Sequence, residues 1–170
     1  MTPLKLQDYF VGSKNRDGRF SGGLLEYILK DLRTIDGEKP WNIYDNSPDQ
    51  RKDKGDISIY PYCFSVLGDG EDNGETAKQQ VIIVAATYNI DVSYSGYRDV
   101  MNALERIREY LMKYPNGNDE ILKNQEGSFF EVLKPIKWVS PEQSSNSPVF
   151  IGGLELNIQL PAIGRMIPYI

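Results

Sequence analysis

Histidine is absent from all 170 residues, and cysteine occurs once, as Cys63. The first absence removes the side chain that titrates nearest neutral pH and serves most often as general base and metal ligand. The second excludes an intrachain disulfide and a zinc site built on several thiolates. Without a histidine to activate it, Cys63 reads as a small apolar residue on a strand rather than as a nucleophile. Long hydrophobic runs are missing as well: no stretch approaches the ~20 apolar residues of a membrane-crossing helix, so no membrane partner is expected. Residues 1–10 hold one lysine and no extended apolar segment. They do not read as a signal peptide, and the chain is expected to stay where it is made. Positive charge is in deficit, with 19 Lys and Arg against 24 Asp and Glu and a formal charge of −5. That balance argues against phosphate-backbone binding as the main task. With so little catalytic equipment, the expectation is a non-enzyme that needs no cofactor.

What is present is the composition of an ordinary folded domain, 40% apolar and 25% charged. The length suits one domain spanning 1–170. Residues 1–19, with the glycine-rich GSKNRDG at 12–18, read as a flexible N-terminal arm. A phosphate loop is the rival reading of that stretch, but the G-x-x-x-x-G-K-[ST] spacing and a preceding strand are both lacking. Leu25, Ile28, Leu29, Leu32 and Ile35 recur at helical spacing, which predicts a helix over 21–35 with Ser21 as N-cap and Gly37 as stop signal. Residues 36–56 hold two prolines and many turn formers and read as a long inserted loop. Strands are expected over 57–67, with Pro61 marking an edge or bulge, and over 80–92, apolar on both faces. The turn-rich 68–79 between them carries Asn73-Gly74, a hairpin signal. A second helix is expected over 96–112, with the stripe Val100, Leu104, Ile107 and Leu111. Asp99 is placed off that stripe. Two further strands, 129–139 (interrupted at Pro135) and 149–163, are joined by a polar loop at 140–148. In the last strand Leu154, Leu156, Ile158 and Leu160 alternate with Glu155, Asn157 and Gln159, and Gly152-Gly153 points to a bulge or a close backbone approach. The expected architecture is α+β: a four-stranded, mainly antiparallel sheet with two helices packed on it.

Candidate chemistry is thin. Asp69, Glu71, Asn73 and Gly74 imitate the start of a calcium loop. The match breaks down because Glu71 is too long for its position and Gln80 stands where a bidentate carboxylate should close the site. A solvated hairpin is the preferred reading. Asp91, Asp99, Glu131 and Glu155 could supply paired carboxylates for hydrolysis only if the fold brought them together. Tyr88, Tyr94 and Tyr97 cluster near one strand-to-helix junction; without a basic stripe beside them, packing or a protein interface is expected rather than stacking on nucleic acid.

One larger pattern remains. Gly96-Tyr97-Arg98-Asp99 opens the ALERIREYL helix, Trp138 is followed by Pro141-Glu142, and Phe150-Ile151-Gly152-Gly153 leads to Glu155 and Pro161. Together with GGLLEYILKDL, this arrangement over roughly residues 20–163 resembles the tail-terminator (tail-completion) proteins of phages and prophages of Gram-positive bacteria. The resemblance implies a structural virion subunit that is assembled in the bacterial cytoplasm and located in a virion tail or headless tail-like particle (a tailocin). It implies a homo-oligomeric, usually hexameric, ring on the last layer of the tail tube protein. Such a ring stops tube polymerisation and serves head–tail joining through a connector or collar, with sheath proteins as further partners. DNA passes through its lumen without specific binding. On this reading the loop carboxylates Asp69, Glu71, Asp72 and Glu75 face the lumen, and Glu155, Asn157 and Gln159 belong to a subunit interface. The segment 36–56 departs from the pattern. Two other readings stay open at this point: a head–tail connector or stopper subunit, and a small-molecule hydrolase with an unrecognised site.

Overall fold

A computed structural model describes residues 1–48, 57–90, 95–117, 130–143 and 148–161. The chain begins with a helix, α1 (Pro3–Val11), where a flexible arm was expected. Thr2 caps it by accepting the Lys5 N–H at 3.3 Å, and Pro3 occupies the first turn, where its missing N–H costs nothing. Leu6, Tyr9, Phe10 and Val11 are buried, and side chains of this kind contribute about 1.5–3 kcal/mol each when removed from water. Gly12 ends the helix and starts a small antiparallel hairpin, β1 (Gly12–Lys14) with β2 (Phe20–Gly22). The first 22 residues are therefore part of the packed domain.

Helix α2 spans only Leu24–Leu29, shorter than the predicted 21–35, and its N-cap is Gly23 rather than Ser21, which pairs with Ser13 in the hairpin. Periodicity continues through Leu32 and Ile35, but the Arg33 guanidinium bonds the Lys30 and Leu32 carbonyls, and the chain enters a tight turn. The segment read as a loop contains β3 (Asn42–Tyr44), which runs parallel to β4 (Tyr62–Asp72). Trp41 and Ile43 are buried there. Three residues are too few to show a periodicity.

The remaining elements follow the predicted order with longer strands. β4 and β5 (Thr76–Tyr88) form an antiparallel hairpin turning at Asn73–Glu75, so most of the expected 68–79 loop is strand. Then come α3 (Ser95–Lys113), β6 (Glu131–Gln143) and β7 (Val149–Pro161). The sheet is mixed and has five strands in the order β3-β4-β5-β7-β6, one more than expected. All three helices lie on one face. Cys63, Val81, Ile83, Leu154, Leu156 and Ile158 meet α1, α2 and the stripe Val100, Leu104, Ile107 and Leu111 in one core.

β7, which carries Glu155, Asn157 and Gln159, is paired on both sides, by β5 and β6, because the connection through α3 brings β6 outside it, so these residues lie on a sheet face and not at an edge. Pro61 precedes β4 at its paired, β3-facing start, with its carbonyl accepting the Asn42 N–H at 2.9 Å; the prolines that sit on an edge strand are Pro135 and Pro141, in β6. Gly152-Gly153 pairs with β5 without a bulge, and the register shift falls in β6 opposite, between Val139 and Glu142. The close approach does occur. A Cβ on Gly152 would lie 3.1 Å from both Leu104 Cδ1 and Val100 Cγ1, so the missing side chain lets α3 settle on the sheet.

Candidate functional site

Three surfaces carry the residues singled out by the sequence. The first is the sheet face opposite the helices, on which no other described element lies. Glu155, Asn157 and Gln159 project there from the centre of the sheet, because strand alternation sends Leu154, Leu156 and Ile158 the other way. Their cross-strand neighbours on this face are Ile82, Gln80 and Lys78 on β5 and Lys137, Leu133 and Glu131 on β6. Toward β3 the face becomes aromatic: Tyr62 and Phe64 stack with ring centroids 5.9 Å apart, and Tyr60 lies 5.2 Å from Tyr62. These rings join Ile59 and Ala86 in a second, smaller cluster. Among the described residues the outer strands of the sheet are β3 and β6. β6 has no described neighbour on its outer side, and β4 has none beyond Phe64, where β3 ends. Gln7 of α1 closes the seam at that point: its amide donates to the Ser65 carbonyl and accepts the Ser65 hydroxyl at 2.9 Å, standing in for a strand residue.

The second surface is the acidic hairpin. Asp69, Glu71 and Asp72 lie on β4, Glu75 lies in the turn, and all four are exposed. Their oxygens do not converge on a cation site. Asp72 Oδ1 accepts the Gly74 N–H at 2.8 Å, and Asn73 Oδ1 accepts the Glu75 and Thr76 N–H groups at 2.9 Å, so both side chains brace the turn. No group of three potential ligands stands together among the described residues. Gln79, buried beside the β4 irregularity between Leu67 and Gly70, donates to the Gly68 carbonyl at 2.9 Å.

The third is a polar cluster that sequence patterns did not assemble. Asp99 is buried in the first turn of α3, where an exposed or flanking position was expected, and its Oδ1 accepts the Ile35 N–H at 2.9 Å. Asp36 Oδ2 accepts the Ser95 hydroxyl at 2.6 Å and the Asn89 amide at 2.8 Å. These bonds fasten the 34–39 turn, itself tied by Thr34 to Lys39, onto the start of α3. Asp99 thus meets Asp36, while Glu131 and Glu155 lie on the sheet elsewhere and Asp91 falls outside the described residues. Glycine-37 and the neighbouring turn gave the only sequence hint, since a contact between residues 64 apart has no local signature.

The two carboxyls are pulled in opposite directions. The Ser95 and Asn89 donors hold Asp36 below the ordinary carboxylate range. Burial pushes Asp99 up, and the neighbouring Asp36 adds to that, against the Ile35 hydrogen bond. The raised Asp99 pKa means that the folded state holds this proton more tightly than the unfolded chain. Its contribution to stability is fully present below the unfolded value near pH ~4 and is lost as pH rises through the folded value. Asp36 has the opposite sign, contributing above its unfolded value and losing that contribution as pH falls. Asp99→Asn is therefore expected to flatten the loss of stability that sets in as pH rises above about 4, as read by urea unfolding at stepped pH. Ser95→Ala is expected to return Asp36 toward an ordinary carboxylate titration, as followed by carboxyl-carbon NMR. Cys63 is buried and desolvation pushes its thiol far up, which disfavours the thiolate form.

The residues that carry the family resemblance also meet. A Cβ on Gly96 would lie 2.5 Å from the Phe150 ring, so the GYRD and FIGG stretches pack on one another at the α3–β7 contact. Trp138 lies at the β6 edge under the Arg108 guanidinium, 4.5 Å from its ring centroid. Tyr88 and Tyr97 are exposed at opposite ends of the junction, and Tyr94 lies outside the described residues. No family model matches the chain, and a search of curated proteins finds no match.

Proposed function

We propose that this chain is a structural subunit of a phage tail or phage-derived tail-like particle, of the tail-terminator kind. In this role it caps the tube as a ring, stops its polymerisation and joins it to a head connector or collar. The observation that carries the reading is that, among the described residues, the outer strands β3 and β6 are paired on one side only and no described helix or strand covers the sheet face opposite the helices. Edges of this kind pair with other chains unless they are protected. When one edge of a subunit meets a different surface of the next, the contact is heterologous, and a rotation that closes makes a ring instead of a filament. Pro135 and the register shifts in β6 limit how much of that edge can pair, which suits a specific contact over an open-ended one. The carboxylate tip Asp69–Glu75 then faces the lumen, where its charge keeps passing DNA from adhering.

The decisive experiment removes the polypeptide from a particle-producing strain and measures tube lengths by electron microscopy. The expected result is tubes of irregular, extended length without a terminal ring; tubes of normal length end the proposal. Replacing Asp69, Glu71, Asp72 and Glu75 by lysine is expected to leave rings intact by negative stain while blocking DNA delivery, measured as infectivity. All four side chains are exposed at the hairpin tip, away from the core, so subunit folding is expected to survive.

A further inference from the structure

We propose that Asn116 is a site of spontaneous covalent modification, closing onto the Gly117 nitrogen to give isoaspartate and aspartate, while Asn73 is shielded from the same reaction. The chain has two Asn-Gly pairs, Asn73-Gly74 and Asn116-Gly117. In each, the missing Cβ on the second residue leaves its amide nitrogen sterically open to approach the asparagine Cγ. The reaction forms a bond from the glycine nitrogen to Cγ and breaks the bond from Cγ to Nδ2. The glycine amide proton leaves with Nδ2 as ammonia, and a five-membered succinimide remains. Water then opens the ring. Addition at the backbone carbonyl carbon yields isoaspartate, with the main chain routed through Cβ, and addition at Cγ yields aspartate. Solvent water is the one co-reactant, and no electrons change hands.

The two pairs are alike in sequence and differ in what holds them. Asn73 Oδ1 accepts the Glu75 and Thr76 N–H groups at 2.9 Å, which fixes the orientation of its Cγ. The Gly74 N–H donates to Asp72 Oδ1 at 2.8 Å, and a carboxylate against that N–H opposes the deprotonation that makes the nitrogen nucleophilic. The Asn73 N–H also donates to the Thr76 carbonyl at 3.1 Å, and the flanking strands pair from Asp72 and Ala77 onward. Ring closure at Asn73 therefore requires the hairpin turn to come apart. Asn116 lies just beyond the end of α3, in a turn closed by the Gly117 N–H on the Tyr114 carbonyl at 3.1 Å. It is exposed, and its side chain makes no hydrogen bond among the described residues. Opening one bond to a neutral carbonyl frees the Gly117 nitrogen. Either product puts a carboxylate at the C-terminal end of α3, where the helix dipole disfavours negative charge. Isoaspartate also adds a backbone atom beside Pro115, whose carbonyl accepts the Val132 N–H of β6 at 2.8 Å.

The test incubates the full chain, folded, in mildly alkaline buffer and follows both asparagines by peptide mapping with mass spectrometry, beside a sample kept unfolded in urea. In the folded chain Asn116 is expected to convert at least about tenfold faster than Asn73, because more hydrogen bonds must break at the hairpin. In urea that difference should vanish, since both asparagines then precede a glycine in an open chain. Isoaspartate should exceed aspartate at Asn116, as an opened succinimide requires. Asp72→Ala, which removes the carboxylate from the Gly74 N–H, should speed conversion at Asn73 several-fold in the folded chain and leave Asn116 unchanged. Equal folded rates, a difference that persists in urea, aspartate formed without isoaspartate, or an Asp72→Ala chain with Asn73 as slow as before would each overturn the proposal.

Discussion

Replacing Gly12 by alanine is expected to cost about 3–5 kcal/mol, lowering the melting temperature by about 8–15 °C for a chain of this size. Gly12 has φ +83° and ψ −145°, a region that essentially only glycine occupies. A Cβ there would also collide with the backbone of Ser21 and Gly23 across the hairpin, and backbone cannot move aside as a side-chain end can. Gly12 N–H closes α1 by bonding the Asp8 carbonyl, so the strain would reach the helix and its buried residues Tyr9, Phe10 and Val11. Asparagine tolerates the left-handed helical region but not this one, and Gly12→Asn is expected to be as damaging as Gly12→Ala. Gly74 is the control. Its φ is +87°, but a Cβ there meets nothing within 4 Å, so Gly74→Ala should cost only about 1–2 kcal/mol. Thermal unfolding of the three variants checks the ranking; equal losses at positions 12 and 74 would falsify the claim that the N-terminal 22 residues are integral to the domain.

The second large effect lies where α3 rests on β7. Leu104→Ala should destabilise by about 3 kcal/mol, because Leu104 is fully enclosed between the helix stripe and the sheet. Gly152→Val should cost about 2–3 kcal/mol for the opposite reason: the space that a side chain would need is already filled by Leu104 and Val100. The two changes are complementary in volume. The double variant is expected to be about 1–2 kcal/mol more stable than the sum of the single losses. Rescue stays incomplete because a Cβ at 152 also approaches the Val139 carbonyl at 3.0 Å, which neither substitution moves. A double-mutant cycle by urea denaturation measures the coupling, and strict additivity would refute this packing account.

These contacts separate what pattern could foretell from what it could not. The α3 stripe and the alternation of β7 were readable because each residue's burial is set by one element facing one core, so periodicity carries the information. The hairpin at Asn73-Gly74 was readable from turn chemistry alone. Helix α1 was missed although Thr2-Pro3 is a sound start signal, because the glycines that follow suggested a loose arm; they serve instead as a helix stop and a close backbone crossing. β3 was missed because Asn42–Tyr44 is held by its parallel partner β4 and not by its own preference. Asp99 was placed outside the core because charge suggested solvent, whereas a backbone N–H from residue 35 compensates its burial.

The amino-acid sequence by itself determined the α+β class, the two-layer packing of α3 on apolar strands and the shortage of catalytic groups, since composition and local periodicity act over a few residues. The tertiary structure alone decided which strands became edges, which carboxyls came together and which face of the sheet the helices cover. Those properties depend on pairings between distant segments, whose order is fixed by how the whole set of elements shares one core and not by any segment's own pattern.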